Sequence, residues 1–420
     1  MPIKPLEKYS IGVGDRFGQQ AGAQLRALIR AEERGIHLVP VWNKSYREHH
    51  ILHTRPDSVR READRAVREL DWKASYYVDA DHVGTENIEP FLTCCNYFTL
   101  DVGDSIGGPV DPAEVEAGVR ELFPGGALPS IPGLSGRPGG DGCILRDCIG
   151  KYLPAMKEAA ALHSRIESAR KGAAFVTEIS MDETAEAQTV PELAVILALA
   201  SREGIPLQVI APKFTGHFYK GIDYVGDVHA FSRCFSDLLA VIRFAVSAFG
   251  LPGNLKLSVH SGSDKFSIYP AIRAALKKYK AGVHVKTAGT TWLEEITGLS
   301  LAGQAGLETA KAVYRQAYER YDELCSPYAP VLLIDRRRLP LPGAVESWTA
   351  EEFAGAVRHD ARNPRYNPDM RQLLHVAFKI AAEMGDGFLR LIRESRELIG
   401  KQVTDNLYSR HILPLFEDLE

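Results

Sequence analysis

Residues 255–267 read LKLSVHSGSDKFS, and this stretch holds the repeating unit of the chain. Leu255–Val259 is an apolar run of strand length, His260–Lys265 is a polar cluster at its end, and a helix-period segment follows over 266–281. The same unit recurs at Tyr9–Gly14 (YSIGVG), His37–Trp42 (HLVPVW), Ser75–Asp79 (SYYVD) and Tyr97–Val102 (YFTLDV). It returns at Phe175–Ile179, Leu207–Ala211 and Val283–Lys286. Helices fit between the runs. In DSVRREADRAVREL, Val59, Ala63, Ala66, Val67 and Leu70 fall at helical spacing behind Pro56. In PELAVILALASREG, Pro191 starts a helix and Gly204 ends it; segments 20–34 and 226–249 behave alike.

Alternating strand and helix implies parallel strands joined by right-handed crossovers. Eight runs imply an α/β fold closed as a (β/α)8 TIM barrel over residues 1–300. An insertion after strand 4 is expected at 103–150, where GGPVDPAEVEAG and FPGGALPSIPGLSGRPGGDG interrupt the alternation. A Gly/Pro-rich loop of this length is either functional, as a lid, or disordered. From 301 to 420 the pattern turns helical (TAKAVYRQAYERYDELC, then DMRQLLHVAFKIAAEM), which predicts a helical C-terminal extension packed on the barrel.

Composition narrows the classes. The 420 residues are 45% hydrophobic and 25% charged, which excludes a disordered, collagen-like or disulfide-stapled protein. Fifty basic against 54 acidic side chains give a net charge of −4, so no basic field argues for nucleic-acid or membrane binding. MPIKPLEKYSIG lacks the pattern of a signal peptide, and the longest apolar stretches fall short of the ~20 residues of a membrane helix. Six cysteines without CxxC spacing read as free thiols in a reducing cytoplasm. The expected partner is a small molecule, and a homo-oligomer is left open. Gly12-x-Gly14-x-x-x-Gly18 is one residue off the dinucleotide fingerprint, and there is no phosphate-binding GxxxxGK[ST] and no GxSxG.

Barrel enzymes build their sites at the C-terminal ends of the strands. Here the runs end in Asp15-Arg16, Asn43-Lys44, Asp79-Ala80-Asp81-His82 and Asp101 to Asp104. The later ones deliver Glu178 with Asp182 and Glu183, Lys213 with His217, His260 to Lys265, and Lys286-Thr287. His82, His217 and His260 would converge on the barrel mouth and hold Zn²⁺ or Mn²⁺ with open positions for substrate oxygens. No HExxH-type spacing supports this; topology alone brings them together. His49-His50, after run two, are weaker candidates, and His163, His284, His359, His375 and His411 read as structural. A proton that leaves one face of a substrate and returns to the other needs two carboxylates. Asp81 and Glu178 fit, with Asp79, Asp101 and Asp182 competing; Asp79, earlier in its run, reads as a buried structural carboxylate. Ser263 and Lys265, where SGSDKFS opens a helix, and Lys286 on the next run would clamp a phosphate or a sugar-acid carboxylate. A plain helix cap by Ser263 and Asp264 is the alternative. Asp15, Asn43, Lys44, Asp182 and Lys213 complete the expected substrate contacts.

YSIGVGDRFG, VWNKSYREHH, YYVDADHVG, EISMDETAEAQTVPEL, APKFTGHF and SVHSGSDKFS together resemble the tagaturonate–fructuronate epimerase family over residues 9 to about 300. The resemblance implies a barrel enzyme that needs a divalent metal (Zn, Mn or Ni) and interconverts D-tagaturonate and D-fructuronate, with some relatives used on fructose and tagatose. It puts the acid/base pair on Asp81 and Glu178 and the metal on His82, His217 and His260. The inverted carbon is not adjacent to the ketone, so simple enolisation cannot reach it. Retro-aldol cleavage with re-addition, or direct deprotonation between opposed carboxylates, would. A class II-type aldolase or a ketose isomerase could use the same groups, and a non-enzymatic sugar-binding protein is the third alternative.

Overall fold

The computed structural model of the protein describes residues 5–134, 141–182 and 184–419. Its eight parallel strands close in chain order: β1 (Tyr9–Gly14), β2 (Val39–Ser45), β3 (Tyr77–Val83), β4 (Tyr97–Asp101), β5 (Val176–Ser180), β6 (Val209–Ala211), β7 (Lys256–His260) and β8 (Val283–Lys286). β8 closes on β1 with Ser10 opposite His284 and Gly12 opposite Lys286. This is the expected (β/α)8 barrel. Helices Ala21–Glu32, Asp57–Glu69, Gly142–Arg170, Val190–Arg202, Val228–Ala248 and Tyr269–Tyr279 lie between the strands, and Ala288–Ser300 follows β8. Local signals set their ends. Thr189 and Glu192 form a capping box with Pro191 in the first turn, and Gly204 takes φ +72 just past the helix.

Side chains two apart on a strand share one face, so each strand lines the interior with alternate residues. At one end that lining is apolar: Leu6, Val39, Val41, Tyr77, Tyr97, Val176 and Val209 pack together. One pleat further on, Asp79 follows Tyr77, Thr99 follows Tyr97 and Glu178 follows Val176, all buried. The barrel therefore has a mostly apolar floor, where Lys256 is the buried charge, and an ionisable mouth. Gly12 belongs to this design, because a Cβ there would fall 2.8 Å from Lys286 Cγ. Outward-facing Ile11, Val78, Phe98, Ile179, Ile210 and Val259 pack against the helices. Each such burial is worth about 1.5–3 kcal/mol before entropy is counted, and no disulfide contributes, since all six cysteines are free.

The segment after β4 carries regular structure of its own. Asp111 caps a helix at Pro112–Leu122 whose Val115 and Val119 are buried, and the crossover helix already begins at Gly142. Past Leu122 the chain reaches the opposite face of the barrel. Phe123 packs on Phe249 just past the end of helix Val228–Ala248, and Tyr279, the last residue of its helix, donates to the Gly133 carbonyl. Those helix C-termini lie beside the strand N-termini, so Phe123 and Gly133 are remote from the mouth. Residues 135–140 of the expected insertion lie outside the described residues.

The C-terminal region is helical and shares its core with helix Ala288–Ser300. Trp292, Leu293, Ile296 and Leu299 pack with Leu307, Val313, Tyr314, Phe353 and Leu373. Leu407, Ile412, Leu415 and Phe416 return to the main barrel core. Among the described residues no helix is long and apolar enough to cross a membrane.

Candidate active site

Neighbouring residues on a strand normally face opposite ways, yet Asp81 and His82 both reach the mouth. A bulge explains this. β3 pairs Ala80 with Phe98 and then Val83 with Leu100, so it carries one residue more than β4, and His82 takes φ +52. Asp81 Oδ1 lies 2.9 Å from Lys286 Nζ, while the His82 ring stands 5.2 Å from that of His260.

Lys286 is the hub of the buried charges. Its ammonium donates to Asp79 Oδ2 at 2.9 Å, Asp81 Oδ1 at 2.9 Å and Thr99 Oγ1 at 2.6 Å, with Glu178 Oε2 at 3.7 Å. Burial disfavours its charge, but the carboxylates outweigh burial and hold it well above the ordinary lysine range. The two aspartates of β3 are driven apart. Burial pushes Asp79 up to about 7 against the pull of Lys286. Burial acts the same way on Asp81, but Lys286 and His82 prevail and bring it down to about 2. Two carboxyls sharing one ammonium thus differ in proton affinity, an arrangement suited to acid/base work.

Beside this hub stand two histidine–carboxylate pairs. His82 Nδ1 lies 3.2 Å from Asp101 Oδ2, and His260 Nε2 lies 2.6 Å from Glu178 Oε1. Glu178 also accepts from Tyr97 Oη at 2.5 Å. Each ring has its second nitrogen left over. That of His260, Nδ1, lies 3.1 Å from Asp182 Oδ2 but without hydrogen-bond alignment. One ligand atom each from His82, Asp182 and His260 falls within 4.8 Å of the other two. Two imidazoles oriented by carboxylates, plus a third carboxylate, make a donor set that fits a divalent cation. Burial opposes charge on His82, but Asp101, Asp81 and Asp182 raise it to about 10. The cluster therefore attracts a positive charge at this point.

A family model described as tagaturonate epimerase matches residues 1–121 and 144–412. The chain belongs to the tagaturonate epimerase family. It is accordingly an enzyme of the isomerase class, a carbohydrate epimerase. A tagaturonate/fructuronate epimerase of Thermotoga maritima is 26% identical, the likeness covering 98% of this chain and 81% of that protein. Two crystal structures of fructuronate-tagaturonate epimerase from Cohnella laeviribosi share the fold. A glycerol complex superposes with a TM-score of 0.79 at 24% identity, over 98% of this chain and 82% of the other. The native form gives 0.78 at 24% identity over the same shares. The family match omits 122–143, the stretch that contains Phe123 and Gly133.

Asp81, Glu178, Asp182, His82, His260 and Lys286, all expected site residues, are brought together. Lys286, expected to touch substrate, instead ties Asp79, Asp81 and Thr99. His217 is not drawn in; it is exposed, its ring stacked on Tyr219 with centroids 5.2 Å apart. The expected anion clamp turns inward. Lys265 is fully buried and donates to the carbonyls of Tyr219 at 3.0 Å and Ile222 at 2.8 Å, and Ser263 Oγ accepts from the Gly221 amide. Asp264 is a buried node. It meets Arg371 at 2.7 Å, His359 at 3.1 Å and His411 at 3.2 Å, all from the extension. Asp15 accepts the Gly18 and Gln20 amides to shape a turn, and Lys44 donates to the Arg16 carbonyl. Asn43 is buried with Oδ1 unpartnered. Lys213 is half-buried; its amide donates to Gln188. Glu183 lies outside the described residues. Sequence reading missed Thr99 and Tyr97, whose interior positions follow from alternation once β4 is placed.

Proposed function

We propose that this chain interconverts D-tagaturonate and D-fructuronate at the barrel mouth, using a divalent cation held by His82, His260 and Asp182. The observation that carries the reading is the pairing of each imidazole with a carboxylate, half-buried Asp101 and buried Glu178, around one focal point, next to an ammonium-bridged aspartate pair. A cation bound there supplies Lewis-acid polarisation of the ketose oxygens. Asp101 and Glu178 fix the rings, and Glu178 is locked by Tyr97 as well.

Counting the ketone as C2, inversion at C4 follows from retro-aldol cleavage. Asp81, ionised through Lys286, takes the C4 hydroxyl proton, and that oxygen's electrons form the new aldehyde carbonyl. The C3–C4 pair moves into a C2–C3 double bond, and the developing negative charge meets the field of Lys286. The aldehyde turns its other face, C3 adds back, and Asp81 returns the proton. Nothing is consumed, so an equimass ketose is the only product. The same chemistry would act on fructose and tagatose.

The test strips the protein with chelator, reloads Mn²⁺, Zn²⁺ or Ni²⁺, and supplies D-fructuronate and D-fructose separately. Metal-dependent formation of D-tagaturonate is expected. No metal-dependent change in either sugar would falsify the proposal, and accumulating three-carbon fragments would replace it with an aldolase.

A further inference from the structure

With Lys265 and Ser263 committed to protein carbonyls and amides, the carboxylate of a keto-uronate needs another partner. The β1–β2–β8 side of the mouth offers one. Arg16, just past β1, is only 6% exposed. Its guanidinium lies 4.5 Å from the Phe378 ring and its Nε 2.9 Å from Glu48 Oε1 without hydrogen-bond alignment, and among the described residues neither Nε nor Nη1 has a hydrogen-bond partner. His375, three residues before Phe378 on the extension, is 1% exposed, and neither ring nitrogen has a hydrogen-bond partner among the described residues. This ring sits directly on the loops that follow β8 and β7. A Cβ at Gly289 would fall 2.0 Å from His375 Nε2 and 2.4 Å from the Gly262 carbonyl. Asn43, on β2, adds the unpartnered Oδ1.

Buried polar atoms without partners are rare and costly, and Arg16, Asn43 and His375, which belong to or pack on the β1, β2 and β8 loops, all carry them. The charges agree. Burial first, then Arg16, Lys220, Arg371 and Lys265, keep His375 uncharged, so it can donate one N–H. The nearby carboxyls do not cancel Arg16. Glu48 is engaged at Nε, and burial with the Asp15 charge keeps the Glu295 carboxyl well above its ordinary range.

We propose that Arg16 Nη1 and a ring N–H of His375 hold the substrate carboxylate, with Asn43 Oδ1 accepting from a neighbouring hydroxyl. This rests on the keto-uronate reading above. Guanidinium and carboxylate make a charge-assisted, planar match, and Phe378 keeps the guanidinium in place. The sugar then lies across the mouth, its carboxylate toward β1 and its ketone toward His82 and His260.

The experiment compares metal-loaded wild type with Arg16→Met, Arg16→Lys, His375→Asn and Lys213→Met. It measures KM and kcat for D-fructuronate and the inhibition constant of neutral D-fructose. Arg16→Met should raise KM about 30-fold with kcat within about threefold, and His375→Asn should raise KM about fivefold. Arg16→Lys should recover most of the loss, and D-fructose inhibition should stay unchanged in all four. If Arg16→Met does not fold, Arg16→Lys and His375→Asn carry the test. A fall in kcat at constant KM, equal weakening of D-fructose, or a selective rise in KM from Lys213→Met instead would overturn the subsite. Wild-type protein that leaves D-fructuronate unchanged defeats the functional reading, and the subsite with it.

Discussion

Lys256 and Lys286 are both buried inside the barrel, on adjacent strands, and they differ in everything but residue type. Lys256 opens β7 at the floor and, among the described residues, donates to backbone alone, the carbonyls of Glu7 and Lys8. Burial, little opposed by Glu7, brings it down to about 7. Lys286 closes β8 at the mouth among three carboxylates and is held charged. Lys265 resembles Lys256, with carbonyls around it and a value brought down by burial to about 7. A lysine that holds carbonyls ties loops together, whereas a lysine that holds carboxylates sets their proton affinities. Burial alone does not distinguish them; partners do.

Mutation of the mouth lysine should give the largest effect. Lys286→Met leaves Asp79, Asp81 and Glu178 without their counter-ion, so stability should fall by about 3–5 kcal/mol in urea unfolding. Epimerisation should be lost by at least about 10³-fold, as for an electrostatic group at the reacting centre. Retained turnover would break the contrast. Lys265→Met should come second. It frees the loop of Tyr219 and Ile222, so a loss of about 1–3 kcal/mol is expected, with D-fructuronate and D-fructose turnover reduced alike. A loss confined to the uronate would return Lys265 to the anion-binding role.

Lys256→Met should be the mildest for activity, within about threefold, because it lies on the far face. Its signature is in pH. The folded value near 7 lies below the unfolded value of 10.5, so between these the unfolded chain binds the extra proton and wild-type stability rises with pH. Glu7, Lys8, Arg243, Lys280 and His284 face or border this ammonium. Denaturant midpoints from pH 7 to 10 should climb more steeply in wild type than in Lys256→Met, and equal slopes would remove the distinction.

Much of this was legible before any coordinates. The runs YSIGVG and VHVK are β1 and β8 to the residue, and HLVPVW and SYYVD anticipate β2 and β3. Asp81 and His82 stood where a strand should end; in fact β3 continues through them, because the bulge that admits both is a register event between β3 and β4. Asp79 read correctly as buried, since its place in the run implies an interior pleat. The inward turn of Lys265 was hidden, because its carbonyl partners arrive from a loop more than 40 residues away. The path of the Gly/Pro-rich stretch was hidden for a similar reason. Proline and glycine mark a departure from regular structure, but the docking of Phe123 and Gly133 on distant helices decides where the chain goes.

The Asp264 node has a consequence for how the protein is made. Tyr269, beside it, hydrogen-bonds His411, 142 residues later in the chain, and Arg371 and His359 must also arrive before the node is complete. At translation rates of about 5–20 residues per second, the loop after β7 waits on the order of ten seconds for its last partner. A nascent barrel with all eight strands already emerged is therefore still an unfinished enzyme. Premature termination just after helix Ala288–Ser300 would release a chain whose Asp264 lacks its partners Arg371, His359 and His411 and whose apolar helix lies bare, a substrate for quality control rather than a smaller catalyst.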